Sequence, residues 1–284
     1  MTDIKNVTIL GSGVLGSQIA YQSAYSGFHV AVYDISDEIL EKAKSRFTDL
    51  AKTYLAEVPG ADQGKVDAAL SRLSYHSDLA AAAADTDIVI EAVPEVLKIK
   101  EETFGKLNGV APAHTIFCTN SSTLLPSDIA PASGRPDRFL AMHFANRVWQ
   151  FNTAEIMGTP QTSKTVFDTV VEFAGEIGMV AIPMHKEKAG YVLNSLLVPF
   201  LSAAAQLAEG DYADPKSVDD VWRIATGAPM GPFQIYDIIG LNTPYNIMMS
   251  GDAEQRKLGT WLKTEYIDKG RLGMASGHGF YDYQ

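Results

Sequence analysis

Residues 140–157 read LAMHFANRVWQFNTAEIM and place a histidine, His143, twelve positions before a glutamate, Glu155. An imidazole can take or give a proton near neutral pH. A carboxylate on its second ring nitrogen fixes the tautomer and steadies the imidazolium that forms. Such a pair suits the interconversion of an alcohol and a ketone by hydride transfer, where a hydroxyl proton must leave or arrive. The chain has six histidines, and a histidine at the end of a buried strand is the competing reading. The pair gains meaning only beside a redox cofactor.

GSGVLG, residues 11–16, matches G-x-G-x-x-G. Short glycine patterns arise by chance, but this one directly follows an apolar run at 6–10 and opens a helix near 14–26. In that context Gly11 allows a tight turn, Gly13 a close approach to a pyrophosphate, and Gly16 tight helix–strand packing. The helix N-terminus offers free N–H groups and partial positive charge to the phosphates. Asp34 ends the second strand, 23 residues after Gly11, where an acid accepts hydrogen bonds from the adenosine ribose. A 2′-phosphate would face that carboxylate, and Ile35-Ser36-Asp37 supply no arginine, so NAD is favoured over NADP. The bland readings are a plain glycine turn, and an Asp34 that with Ser36 caps the next helix.

The elements that must position these residues are legible as a rhythm. NVTIL (6–10), HVAVYD (29–34), DIVIEAV (87–93), TIFCT (115–119) and FLAMHF (139–144) are nearly unbroken apolar runs, as expected for strands buried on both faces of a parallel sheet. Helical stretches between them give a βαβ alternation, hence a Rossmann-like, doubly wound α/β domain over 1–186. His143 ends the last of these strands, at the carboxyl edge where such sheets bind ligands. NTAEIM (152–157) reads as a further short strand returning alongside. Residues 36–73 instead carry apolar positions at helical spacing behind a Ser cap and are broken by Pro59-Gly60, which predicts a helical hairpin inserted after the second strand. Past residue 186 strand signals fade, and 187–284 reads as an all-helical domain. Its helices are too apolar for a lone small bundle, which predicts a homodimer built there.

Composition narrows the classes. At 284 residues, 46% hydrophobic and 20% charged, the chain has a globular balance. No unbroken apolar run reaches a membrane-spanning length. A formal charge of −11 opposes nucleic acid and anionic membranes. The single cysteine, Cys118, excludes an internal disulfide and any cysteine-cluster metal site. MTDIKNVTIL enters a strand without a basic leader, from which a cytoplasmic protein is expected.

From end to end the chain resembles the short-chain L-3-hydroxyacyl-CoA dehydrogenases of the 3-hydroxybutyryl-CoA dehydrogenase type. The glycine loop, EAVPEVLKIK (91–100), TNSST (119–123), MHFAN (142–146), AGYVLNSLL (189–197), GAPMGPFQIYDIIGL (227–241) and GHGFYDY (277–283) carry the resemblance, and their spacings agree. It implies a two-domain homodimer with the active site in the interdomain cleft. Residue by residue, it implies His143 as the catalytic histidine, Glu155 as its partner, Ser122 near nicotinamide and substrate oxygen, and Asn194 on the substrate side. Cofactor contacts would come from Asp34, Glu95, Lys100, Ser122 and Asn146. Each has a plainer reading: Ser122 in a loop before a helix cap, Asn194 in a helix–helix hydrogen bond, Glu95 and Lys100 as a surface pair.

The chain also departs from the pattern. Arg147 stands where the family commonly has proline, and Phe151-Asn152-Thr153-Ala154 replaces a lysine-bearing stretch. The family holds the coenzyme A nucleotide with basic and hydroxyl side chains of the hairpin; this chain offers Leu50 and Glu57 there, with Lys52 and Lys65 the nearest bases. The expected activity is NAD-linked interconversion of short-chain L-3-hydroxyacyl-CoA and 3-oxoacyl-CoA. Its rivals are a dehydrogenase of small 3-hydroxy acids, 3-oxo esters or ketones, and a non-catalytic NAD-binding structural protein. The joint presence of His143, Glu155, Ser122 and Asn194 argues against the last.

Overall fold

Eight strands form one sheet: β1 (Asn6–Leu10), β2 (His29–Tyr33), β3 (Leu73–His76), β4 (Ile88–Glu91), β5 (Ile116–Thr119), β6 (Phe139–Phe144), β7 (Thr153–Gly158) and β8 (Val180–Met184). Their side chains go alternately to two cores, Ile9, Ile88 and Ile90 to one and Leu10, Val89 and Phe117 to the other. A strand covered on both faces needs apolar residues at nearly every position, which accounts for the unbroken runs. The computed structural model describes residues 1–283. Backbone contacts divide the chain into two units, one of Met1–Val192 and one from Leu193 onward.

In the first unit the strand order is β3-β2-β1-β4-β5-β6-β7-β8. Pairing is parallel except between β6 and β7, which run antiparallel. The order reverses between β1 and β4, the switch point where doubly wound sheets bind ligands beyond the strand ends. The expected hairpin is present as helices Asp37–Glu57 and Gln63–Ser71, begun by Ser36, whose hydroxyl accepts from Ile39 N, and by Asp62, which accepts from Lys65 N. Phe47, Leu50 and Tyr54 bury one face of the first helix in the core, with Tyr54 edge-on to Tyr21 at 4.7 Å. Two strands escape the sequence reading. β3 is four residues with a half-buried polar end, and β8 carries Pro183 at the sheet edge, where a missing N–H is tolerated.

The second unit is helical: most of Tyr191–Glu209, then Pro215–Thr226, Pro232–Ile239, Asn242–Met249 and Ala253–Glu265. Leu201, Ala205, Phe233, Tyr236, Leu258 and Leu262 form its core. Two buried carboxylates fix its C-terminal segment. Asp219 accepts from Phe233 N, Gln234 N and the Tyr281 hydroxyl, and Asp237 accepts from Phe280 N, Tyr281 N and the Tyr283 hydroxyl. Gly279 allows that approach, because a Cβ there would lie 2.0 Å from Asp237 Oδ1. Large apolar side chains face outward, among them Leu196, Val221 and Ile224 at 69%, 68% and 84% exposure. By length and composition Tyr191–Glu209 could also cross a membrane, with a mean hydropathy of 1.4. Asn194, Ser195, Pro199, Ser202 and Gln206 interrupt its apolar run.

Candidate active site

The glycine loop has the geometry its spacing predicts. Gly11 adopts φ +98°, and a Cβ on it would sit 2.7 Å from the Ala92 carbonyl oxygen. A Cβ on Gly16 would lie 2.0 Å from the Gly11 oxygen, so helix Val14–Tyr25 packs against the loop only with glycine there. Around Gly13 the space is open, with no atom within 4 Å of its Cβ position. Gly13 also begins the helix without a side-chain cap, leaving first-turn N–H groups for an anion. A dinucleotide pyrophosphate fits that cradle.

Asp34 is already ordered toward the loop. Its Oδ2 accepts from Ser12 N at 2.8 Å and from the Ser12 hydroxyl at 2.7 Å, while Oδ1 accepts from Ile35 N at 2.8 Å. Ser36, not Asp34, caps the following helix. Arg46, unnoticed in the sequence, reaches the same loop and donates to the Ser12 carbonyl at 2.9 Å.

His143 and Glu155 meet because of strand register. In the antiparallel pair β6–β7 they are direct partners, two residues along from the Ala141–Met157 pair and on the same face. Leu140, Met142 and Phe144 turn to the opposite face, into the main core. Both charged-capable side chains are buried, and His143 Nδ1 lies 3.0 Å from Glu155 Oε2. The other carboxylate oxygen, Oε1, accepts from Val192 N at 2.8 Å. On the far side of the ring, His143 Nε2 lies 3.0 Å from the Ser122 hydroxyl. With the Nδ1 proton donated to Glu155, Nε2 presents its lone pair toward Ser122, so Ser122, His143 and Glu155 make one hydrogen-bonded line.

The Ser122 loop is held by a charge network that runs from buried Lys100 out to Glu95 at the surface. Glu95 Oε1 accepts from the Ser121 hydroxyl at 2.6 Å and from Ser122 N and Thr123 N at 3.0 and 2.8 Å. Burial alone would raise the Glu95 carboxyl, but hydrogen bonds from Ser121 and Thr123 and the Lys100 charge together hold it at about 2. Lys100 is 1% exposed and pairs with Glu91 at 2.6 Å and Glu95 at 3.3 Å. Glu95 and Lys100 therefore do form a pair, with Lys100 buried and Glu95 at the surface. Glu91, missed by sequence reasoning, is fully buried and also accepts from the Thr119 hydroxyl at 2.7 Å and Val93 N at 2.8 Å. Burial pushes its carboxyl up against the pull of Lys100. Lys100 also donates to the Val93 carbonyl at 3.2 Å.

Tyr191 is a third residue the sequence did not single out. It is 1% exposed, its ring stacks on His143 at 4.3 Å and 12°, and its hydroxyl donates to the Ser121 carbonyl at 2.8 Å. Its φ of +52° costs a non-glycine residue roughly 1–2 kcal/mol. Asn146 lies exposed just past β6, and Asn194 belongs to the second unit, in the first turn of Tyr191–Glu209.

The departures from the family pattern converge. Arg147 Nη2 and Trp149 Nε1 both donate to Glu57 Oε2, at 3.0 and 2.8 Å, tying the loop after β6 to the end of the hairpin helix. Those two donors, Trp149 first, lower the Glu57 carboxyl. Leu50 is buried in the core, and Lys52 and Lys65 are turned to Asp49 and the Gly60 carbonyl.

Comparison with known proteins agrees with this geometry. The model of the 3-hydroxyacyl-CoA dehydrogenase NAD binding domain matches residues 6–188, and that of the C-terminal domain matches 190–283. The mitochondrial hydroxyacyl-coenzyme A dehydrogenase of Mus musculus is 35% identical, over 99% of this chain and 92% of its own. A probable 3-hydroxybutyryl-CoA dehydrogenase of Bacillus subtilis is 34% identical, over 99% of this chain and 98% of its own. Among solved structures, a diketoreductase described as catalysing dicarbonyl compounds is 57% identical with a TM-score of 0.97, covering 100% of both chains. The (S)-3-hydroxybutyryl-CoA dehydrogenase of Ralstonia eutropha is 28% identical with a TM-score of 0.86, covering 99% of this chain and 100% of its own. With a glycine cradle open at Gly13 and both domain models spanning its length, the chain belongs to the 3-hydroxyacyl-CoA dehydrogenase family and is an NAD-dependent oxidoreductase.

Proposed function

We propose that the protein interconverts short-chain L-3-hydroxyacyl-CoA and 3-oxoacyl-CoA, with His143 as acid and base. The observation that carries this reading is the line from Ser122 through His143 to Glu155 at the carboxyl end of β6. Gly11, Gly13, Gly16 and Asp34 would hold NAD(H), which when bound would supply or accept the hydride. In oxidation, His143 Nε2 takes the hydroxyl proton, and in reduction it returns that proton to the oxygen. Glu155 balances the charge that appears on the imidazolium and keeps Nδ1–H pointed at itself. The Ser122 hydroxyl, already on Nε2, marks where a substrate oxygen would be received. Glu95 keeps the Ser122 loop in place, with Lys100 behind it, and Asn146 and Asn194 complete the cofactor and substrate sides.

A second reading has its own support: reduction of small 3-oxo acids, 3-oxo esters or ketones without coenzyme A. The 57% identical diketoreductase favours it. So does the hairpin, where Glu57 is bound to Arg147 and Trp149 and presents a carboxylate in the place the family uses for phosphate-binding bases. NADH oxidation with acetoacetyl-CoA, acetoacetate and a simple 3-oxo ester decides between them. A kcat/KM clearly higher for the CoA ester supports the first reading; little or no CoA-ester turnover beside good turnover of the small compounds replaces it with the second. The outward apolar side chains of the second unit support a homodimer, and a monomer by light scattering at micromolar concentration would refute it.

A further inference from the structure

We propose that Tyr191 is a positioning residue for the proton-transfer machinery: its ring sets the plane of the His143 imidazole, and its hydroxyl ties the Ser122 loop to that ring. This rests on the reading of His143 as the acid and base.

Three contacts converge on residues 191 and 192. The Tyr191 ring lies flat on His143, at 4.3 Å with 12° between planes. Its hydroxyl donates to the carbonyl of Ser121, whose neighbour Ser122 bonds His143 Nε2. The next backbone N–H, of Val192, donates to Glu155 Oε1, leaving Oε2 for His143 Nδ1. One dipeptide thus touches His143 and Glu155 directly and reaches Ser122 through its neighbour Ser121. The strands fix where His143 and Glu155 start; they do not fix rotation of the imidazole about its own side-chain bonds. A flat aromatic face does, because the ring can swing out of plane only by colliding with it.

A plain core side chain explains less. Tyr191 does pack with Ala141, Met157, Leu125 and Met184. Filling that space, however, requires neither a stacked ring nor the left-handed backbone at φ +52°. Strained backbone persists where surrounding contacts over-determine it, and it clusters at functional sites. Here the strain delivers the ring to His143 and the following N–H to Glu155 in consecutive residues. Burial pushes the Tyr191 phenol up, so it stays protonated and able to donate to Ser121.

The test compares Tyr191→Leu and Tyr191→Phe with the unaltered protein, with NADH affinity measured by fluorescence and kcat by NADH oxidation. Nuclear magnetic resonance supplies a signature that core filling would not: the His143 ring C–H signals, assigned by their loss in His143→Ala, sit upfield under the Tyr191 ring. Tyr191→Leu should move them downfield and lower kcat by roughly 10–10²-fold, as small misplacement of a reacting group does, without changing NADH affinity. Tyr191→Phe, which keeps the ring and loses only the bond to Ser121, should keep the upfield signals and lose part of kcat, clearly less than Tyr191→Leu. If Tyr191→Leu is insoluble, Tyr191→Met is judged by the same criteria. The proposal is overturned if the non-aromatic variant keeps kcat, if its His143 signals do not move, or if Tyr191→Phe falls as far as Tyr191→Leu. Should His143→Ala itself keep normal turnover, the acid–base reading fails and takes this one with it, even with the ring signature intact.

Discussion

Glu155 stands directly opposite His143 across the β6–β7 ladder, and its Oε2 lies 3.0 Å from Nδ1 of the imidazole in a setting where both side chains are buried. In that setting the pair is worth more than its separation suggests, because little water competes for either partner.

His143→Ala should therefore lose ~10²–10⁴-fold in kcat, the usual worth of general acid–base help, while NADH still binds. Glu155→Gln should lose less, in the same parameter, since an acceptor remains but the charge supporting the imidazolium is gone. Steady-state kinetics beside NADH fluorescence titration checks both. Near-normal turnover of His143→Ala would return the histidine to the core.

Asp34 is half-buried and already accepts from Ser12 and Ile35, so a 2′-phosphate would meet a fixed carboxylate. The protein should prefer NAD(H) to NADP(H). Asp34→Ala should narrow the kcat/KM ratio by ~10–10²-fold, equivalent to losing one charge-assisted hydrogen bond. Arg46, already on the Ser12 carbonyl, would remain to favour the phosphate. A wild-type preference for NADP(H) would refute the assignment.

The Glu95 carboxyl is held at about 2, below its ordinary 4.5. A depressed acid contributes stability above its unfolded value, and that stability is lost as pH falls through the folded value. The melting-temperature gap between the protein and Glu95→Gln should thus be widest at neutral pH and close between pH 4.5 and about 2. Thermal melts at stepped pH measure it. A gap that does not narrow on acidification would show that the charge of Glu95 does not hold the Ser122 loop.

Glu57→Lys restores a base where the family binds phosphate and removes the acceptor shared by Arg147 and Trp149. KM for acetoacetyl-CoA should fall by ~10-fold or more, in a salt-sensitive way, as one charge-assisted contact is gained. KM for a simple 3-oxo ester should not change. Equal effects on both substrates would place the CoA nucleotide elsewhere.

How far the sequence reached depended on range. Strands such as β1 and β4 are legible because burial on both faces imposes an unbroken apolar run, and the hairpin because Phe47, Leu50 and Ala51 recur at helical spacing. β3 and β8 are short, half-exposed or interrupted by Pro183, so their pattern is weak. His143 and Glu155 are near enough in sequence to suggest a returning strand, although the role of each came from resemblance. Arg46 on Ser12, Trp149 on Glu57 and Tyr191 on His143 join residues 34, 92 and 48 positions apart. No local periodicity encodes such contacts. Even the buried Glu91–Lys100 pair, nine residues apart, depends on a strand end meeting a helix.

The register of β6 against β7 is set by what the strands bury: Ala154 and Ile156 enter the main core, and Met157 packs on the other face beside Ala141. A slip of one residue would send Glu155 to the wrong face, so those apolar positions tolerate little drift. The loop 145–152 between the strands carries a lighter obligation, with Val148 alone of it fully buried in the core. It is there that Arg147 and Trp149 make the bridge to Glu57. The His143–Glu155 pair and the bridge to Glu57 thus lie in separate stretches of one hairpin. A mutant library confined to that loop can vary the bridge while His143 and Glu155 stay facing each other.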